Sequence, residues 1–170
     1  IPDKYQEDMD DLINKNEKLY TQQKFSSEDC FKSLLILYKW IDAMTYQDMS
    51  EHFDAEPGDI FYIKENAKDL TYTFTEIVKF WRDHAKENDQ KKIVSEYQNL
   101  IDELDLLRLQ IVHGVPEKYL ELVKIKQIGR VRAQILYKNG YKNKTSLKKA
   151  PLEKLAAIDK IGAILAKSIK

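Results

Sequence analysis

The sequence predicts an all-α protein: an antiparallel helical bundle over residues 1–114, then a small unit of short helices over residues 115–170. Three observations carry this expectation. Apolar residues recur every three to four positions over long stretches, and no stretch shows the alternation of a strand. Four glycine or proline clusters punctuate the helical pattern, Pro57-Gly58, Gly114 to Pro116, Gly140 and Pro151. The charge also changes sign near the second of these. Residues 121–170 hold 13 Lys and Arg against 3 Asp and Glu, which leaves 15 against 25 in residues 1–120 although the total is zero.

The bundle elements follow in order. Lys4 to Tyr20 forms a charged, weakly amphipathic segment with Tyr5, Met9, Leu12 and Ile13 near helical spacing, followed by a loop through Ser26. The acidic run at Glu7 to Asp11 fits a solvated helix start. Ser27 is placed to cap a helix whose Phe31, Leu34, Leu35, Tyr38 and Ile41 form one stripe, expected in the core. Thr45 caps a short helix with Asp48 three positions on, and Pro57-Gly58-Asp59 opens a long one. In that long helix Ile60, Ile63, Ala67, Leu70, Phe74, Ile77, Val78 and Trp81 keep register over about 25 residues. A second long helix turns Ile93, Tyr97, Leu100, Ile101, Leu104, Leu107 and Ile111 inward and ends at Gly114.

Composition narrows the function. With 43% hydrophobic residues the 170-residue chain is globular rather than disordered. The single cysteine, Cys30, excludes an internal disulfide and a Cys-rich zinc cluster, and it suits a reducing cytoplasm, the expected location. No apolar run approaches a membrane span, and the start lacks a signal-peptide pattern. His52, His84 and His113 lie far apart in the sequence without metal-ligand spacing, so no metal site is expected. The five glycines, at 58, 114, 129, 140 and 162, cannot compose a phosphate loop for ATP. No catalytic residue and no cofactor are therefore expected in this chain. The missing initial methionine and the helical pattern of Ile164 to Lys170 suggest a piece of a longer polypeptide.

Within the basic tail a grammar repeats. Tyr119 to Lys124 reads as a short helix, Ile125 to Gly129 as a turn and Arg130 to Tyr137 as a second helix; Leu152 to Ala157, Ile158 to Gly162 and Ala163 to Lys167 repeat it about 33 residues on. The pair resembles a tandem helix-hairpin-helix, a motif that grips phosphate. Its physics is local: glycine admits a phosphate oxygen close to the backbone, and N–H groups at the next helix start face it. The expected phosphate contacts are Lys126, Ile128, Gly129, Arg130 and Arg132 in the first unit and Lys160 and Gly162 in the second. Such contacts position a strand without reading its sequence. The usual motif has two glycines per turn, whereas Gln127 and Lys160 stand at the first of them here. An arginine of the tail could instead pair with an acid of the bundle, Glu121 or Asp105.

Two sets of residues converge on one family. Leu34 to Ile41, Glu56 to Ile60 and Lys64 to Tyr72 resemble the helical ratchet domain of archaeal Ski-like superfamily-two DNA helicases, the Hjm group. Gly114-Val115, Ile128 to Ala133 and Leu136 to Gly140 resemble the same family's terminal domain. The resemblance implies the C-terminal part of a 3′-to-5′ unwinding enzyme acting at stalled forks. Its ATP and Mg would be bound by motor domains upstream in the same polypeptide, and its partner would be single-stranded or forked DNA. The family carries a base-stacking tryptophan where this chain has Asp69, and an arginine where it has Tyr62. Tyr62 and Tyr72 are the residues of the long helix that could stack on bases instead, although a core role fits them as well. Two other functions stay open at this point: a freestanding helix-hairpin-helix module that brings DNA to a nuclease or polymerase, and a protein-interaction bundle.

Overall fold

A computed structural model describes residues 28–169, so Ser27, the segment from Lys4 to Tyr20 and the acidic run within it lie outside the described residues. Among the described residues all regular structure is helical. The order is α1 (Glu28–Ile41), α2 (Tyr46–Phe53), α3 (Pro57–Glu87), α4 (Lys91–His113), α5 (Glu117–Val123), α6 (Arg130–Lys138), α7 (Lys144–Lys149), α8 (Leu152–Ala156) and α9 (Gly162–Ile169).

Local chemistry sets the boundaries. The Thr45 hydroxyl accepts the Asp48 N–H at 3.1 Å and starts α2. Pro57 sits in the first turn of α3, where its missing N–H costs nothing, and Glu56 with Asp59 forms a capping box. Gly114 ends α4 in the left-handed conformation, at φ 60°, and its N–H reaches Gln110 O. The sequence pattern missed α7. Its signal was Asn143, which accepts the Ser146 N–H at 2.8 Å while Ser146 Oγ accepts the Asn143 N–H at 3.2 Å.

Among the described residues two clusters hold most of the core, and Val78, Ala85, Ile101 and Ile111 are buried along the two long helices outside both. Leu35, Ile36, Trp40, Met49, Phe53, Ala55 and Ile60 join α1, α2 and the start of α3. The second cluster runs from Val115 to Ile169 and takes in Ala43, with Leu106 and Leu109 of α4 packed against it. The tail's core thus borrows side chains from the bundle.

The buried faces differ from those the periodicity predicts. On α1 the core takes Leu35, Ile36 and Trp40, while Leu34 and Tyr38 are exposed. On α3 the buried residues are Ile60, Thr71, Thr75, Val78 and Ala85, and the expected core residues Leu70, Phe74, Ile77 and Trp81 face out. Hydrogen bonding makes the two threonines tolerable inside: Thr71 donates its hydroxyl to Ala67 O at 2.6 Å and Thr75 to Thr71 O at 2.9 Å, so both bury without an orphaned polar group. On α4 only Ile101 and Ile111 are buried, and Ile93, Leu100 and Leu107 are exposed. Both long helices therefore carry more apolar surface than their mutual packing consumes.

Candidate nucleic-acid interface

The basic tail presents two turns of closely similar build. In the first, Ile125 N–H donates to Leu122 O and Ile128 N–H to Ile125 O, both at 3.0 Å. In the second, Ile158 N–H donates to Leu155 O at 3.2 Å and Ile161 N–H to Ile158 O at 3.1 Å. Ile128 and Ile161 plug their turns into the core, as do Ala133 and Ala166 one helix turn later. Gln127 and Lys160 are both left-handed, at φ 68° and 59°. These two residues adopt the conformation that a glycine would otherwise supply.

The predicted contact residues then separate. Lys126 and Lys160 are exposed at the two turns and free to meet an anion. Ile128 is buried and its N–H is spent on Ile125, so it offers neither side chain nor donor to a phosphate, contrary to expectation. Gly129 is exposed, extended at φ −85° and ψ 179°, and no side chain caps the helix it opens. The first N–H groups of α6 therefore lack a partner within their own helix. A Cβ at Gly129 would meet nothing within 4 Å. No Cβ clash and no left-handed angle requires glycine there. Gly162 differs, since its φ of 64° is itself a reason for glycine.

Both predicted arginines are engaged within the molecule. The Arg130 guanidinium lies 4.0 Å from the centroid of Trp40 and 5.5 Å from that of Tyr46, and its Nη2 donates to Met44 O. Burial lowers its pKa, and the neighbouring Tyr46 opposes the shift. Trp40 in turn donates its indole N–H to Ile111 O at 2.7 Å. Gly114 closes this junction, because a Cβ there would come within 2.5 Å of the Trp40 ring. Arg130 thus joins tail to bundle, through aromatic faces and a carbonyl rather than through Glu121 or Asp105. Arg132 donates through Nη1 to Gln127 O at 2.8 Å and through Nε to Lys160 O at 2.9 Å. It spans the two turns.

On α3, Tyr62 is 67% exposed and Tyr72 52% exposed. Ten residues apart on a helix, they sit about 80° apart around the axis and do not share a face. Tyr72 carries the Arg108 guanidinium 5.4 Å from its ring centroid, and Tyr62 meets Phe61 edge-on at 5.8 Å. Phe80, which the sequence reading passed over, is exposed and does share the Tyr62 face, eighteen residues or five helical turns on. Among the described residues no cluster of side chains could hold a metal ion, and no helix is long and apolar enough to cross a membrane.

Known proteins resemble this chain over most of its length. The ATP-dependent DNA helicase Hel308 of Pyrococcus abyssi is 30% identical over 164 residues, covering 94% of this chain and 21% of that protein. Hel308 of Pyrococcus horikoshii is 32% identical over 165 residues, with 94% and 21% covered. Hel308 of Thermococcus kodakarensis is 30% identical over 153 residues, with 86% and 12% covered. The chain spans about a fifth or less of the length of these curated relatives. A family model described as archaeal helicase, domain 4, matches residues 1–114, and the chain belongs to that family.

Proposed function

We propose that this chain is the DNA-handling C-terminal part of an ATP-dependent 3′-to-5′ DNA helicase acting in repair or replication restart. The parent enzyme binds ATP and Mg in motor domains upstream, and this part holds single-stranded or forked DNA by its phosphates. We divide it into a ratchet-like bundle, residues 1–114, and a helix-hairpin-helix domain, residues 115–170. Kinship with helicases supports the parent activity. The observation that carries the DNA contact is the uncapped, glycine-opened start of α6 beside Lys126, within a tail whose charge is strongly positive.

The outward apolar residues of α3 support the parent architecture. Leu70, Phe74, Ile77 and Trp81 are spaced by three and four along one helix face, and such an exposed stripe suits a surface that packs against another body. The upstream motor domains are the occupants this function supplies.

The grip is tested by changing Lys126 and Lys160 together to alanine and measuring binding of a fluorescent oligothymidine by anisotropy at several salt concentrations. Each lost phosphate contact flattens the slope of log affinity against log salt by about 0.7, so the pair should flatten it by about 1.4. Weakening should be equal for other base sequences. An unchanged slope removes Lys126 and Lys160 from the interface.

A further inference from the structure

The two turns are 33 residues apart in sequence, yet one guanidinium takes the carbonyl of the left-handed residue in each: Arg132 Nη1 that of Gln127, and Arg132 Nε that of Lys160. We propose that Arg132 is a positioning residue, which locks the two turns into one rigid, bipartite phosphate grip. This rests on the phosphate-binding function above and assigns Arg132 a role other than direct contact with DNA.

The physical case has three parts. A left-handed conformation at a non-glycine residue is unfavourable by roughly 1 kcal/mol, so each turn needs something to hold it. Arg132 holds both through the carbonyls of the residues concerned, and Ser168 adds a hydroxyl contact to Gln127 Oε1 at 3.4 Å. Only arginine suits the task, because its donors diverge from a planar fork in fixed directions, whereas a lysine ammonium is a single point of charge on a flexible stem. Finally, Lys160 is itself the cation of the second turn. Tethering its backbone to the first turn fixes the point from which its side chain departs relative to the open start of α6.

Arg132→Lys separates positioning from charge, since it keeps the positive charge and loses the fork. Binding of oligothymidine to the full 170-residue chain is measured across a salt series for Arg132→Lys, Arg132→Ala, Lys126→Ala and Lys160→Ala, and for each lysine change combined with Arg132→Lys. If Arg132 positions the second turn, Arg132→Lys weakens binding about as much as Arg132→Ala, roughly tenfold for the loss of one charge-assisted contact. Lys160→Ala then adds nothing further in the Arg132→Lys background, whereas Lys126→Ala keeps its full effect there. Melting curves on the same proteins report folding, and Arg132→Lys should stay within a few degrees of the parent. Wild-type affinity in Arg132→Lys, with Lys160→Ala still fully effective, overturns the proposal in favour of a direct charge contact. Loss of the Lys126 and Lys160 effects alike, together with a large fall in melting temperature, overturns it in favour of general stability. If neither lysine matters even in the parent protein, the phosphate grip itself fails, and that outcome is read independently of Arg132.

Discussion

The turn at residues 124–129 and the turn at residues 157–162 carry the same left-handed residue, at Gln127 and Lys160, and the same buried isoleucine, at Ile128 and Ile161. They hand the chain to the next helix differently. In the first, Gly129 is extended and the helix opens with Arg130, whose side chain crosses to Trp40 in the bundle. In the second, Gly162 is itself left-handed, and Ala163 and Ile164 follow, with Ile164 89% exposed. One backbone plan thus serves two purposes. The first turn is anchored to the bundle and leaves its glycine open to an outside group, whereas the second uses its glycine to make the bend. The glycine letters match, but only the second is explained from within.

The anchor gives the largest expected effect. Arg130→Ala removes a desolvated cation from two aromatic faces, worth about 2 kcal/mol, and leaves the Met44 carbonyl short of a donor. Chemical denaturation should show a loss of about 2–3 kcal/mol, and Arg130→Lys should recover only part of it, because an ammonium brings a charge to the rings but neither a planar face nor the second, divergent donor of a guanidinium. The counterpart change in the second turn, Ala163→Ser, should stay within about 0.5 kcal/mol of the parent, as exposed substitutions do. Equal losses at the two positions would erase the distinction between an anchored turn and a free one.

The glycines sharpen the same contrast at a smaller scale. Gly162→Ala forces a side chain into the left-handed region and should cost about 1 kcal/mol, with little change in DNA affinity per folded molecule. Gly129→Ala meets no clash and no disfavoured angle, so stability should hold within about 0.5 kcal/mol. Its methyl group would nevertheless stand where a phosphate must approach the α6 N–H groups, and oligothymidine binding should weaken. Unaltered binding in Gly129→Ala would move the contact elsewhere on the tail.

Much of this organisation was legible because it is local. Thr45, Pro57, Gly114 and the turn glycines declare helix ends by rules that span four or five residues, and the structure places ends there. The inward faces were less legible. Periodicity reports every apolar residue on a helix without saying which partner buries it, and on α3 two threonines that satisfy their own hydroxyls took the inward positions. Leu70, Phe74, Ile77 and Trp81 were left facing out. The role of Arg130 was hidden for another reason: its acceptor, Met44, lies 86 positions away, beyond any local pattern. The bridge made by Arg132 was likewise invisible, because a carbonyl acceptor carries no side-chain signature.

A last, smaller asymmetry concerns protons. His113, in the last turn of α4, lies near enough to the first turn to feel Lys124; burial lowers its pKa from the ordinary 6.5, and the Lys124 charge lowers it further. Just below pH 6.5 the unfolded chain therefore takes up a proton that the folded chain resists. The neutral imidazole's contribution to stability is fully present above that pH, and it is lost as the pH falls toward the folded-state value. His113→Gln removes the proton and keeps a side chain of similar reach. Denaturation curves collected between pH 7.5 and 5, roughly the interval in which an imidazole rather than a carboxylate titrates, should fall less steeply for the variant than for the parent. Glu65 and Asp83, whose partners Lys68 and Lys86 hold their pKa values below the ordinary carboxylate range, lose their contributions only at lower pH and affect both proteins alike. Adding Lys124→Ala to the parent should recover part of the difference by removing the charge that opposes imidazolium. Coincident pH profiles for parent and His113→Gln would show that α4 does not sense the first turn, and the junction would then rest on Arg130, Trp40 and Gly114.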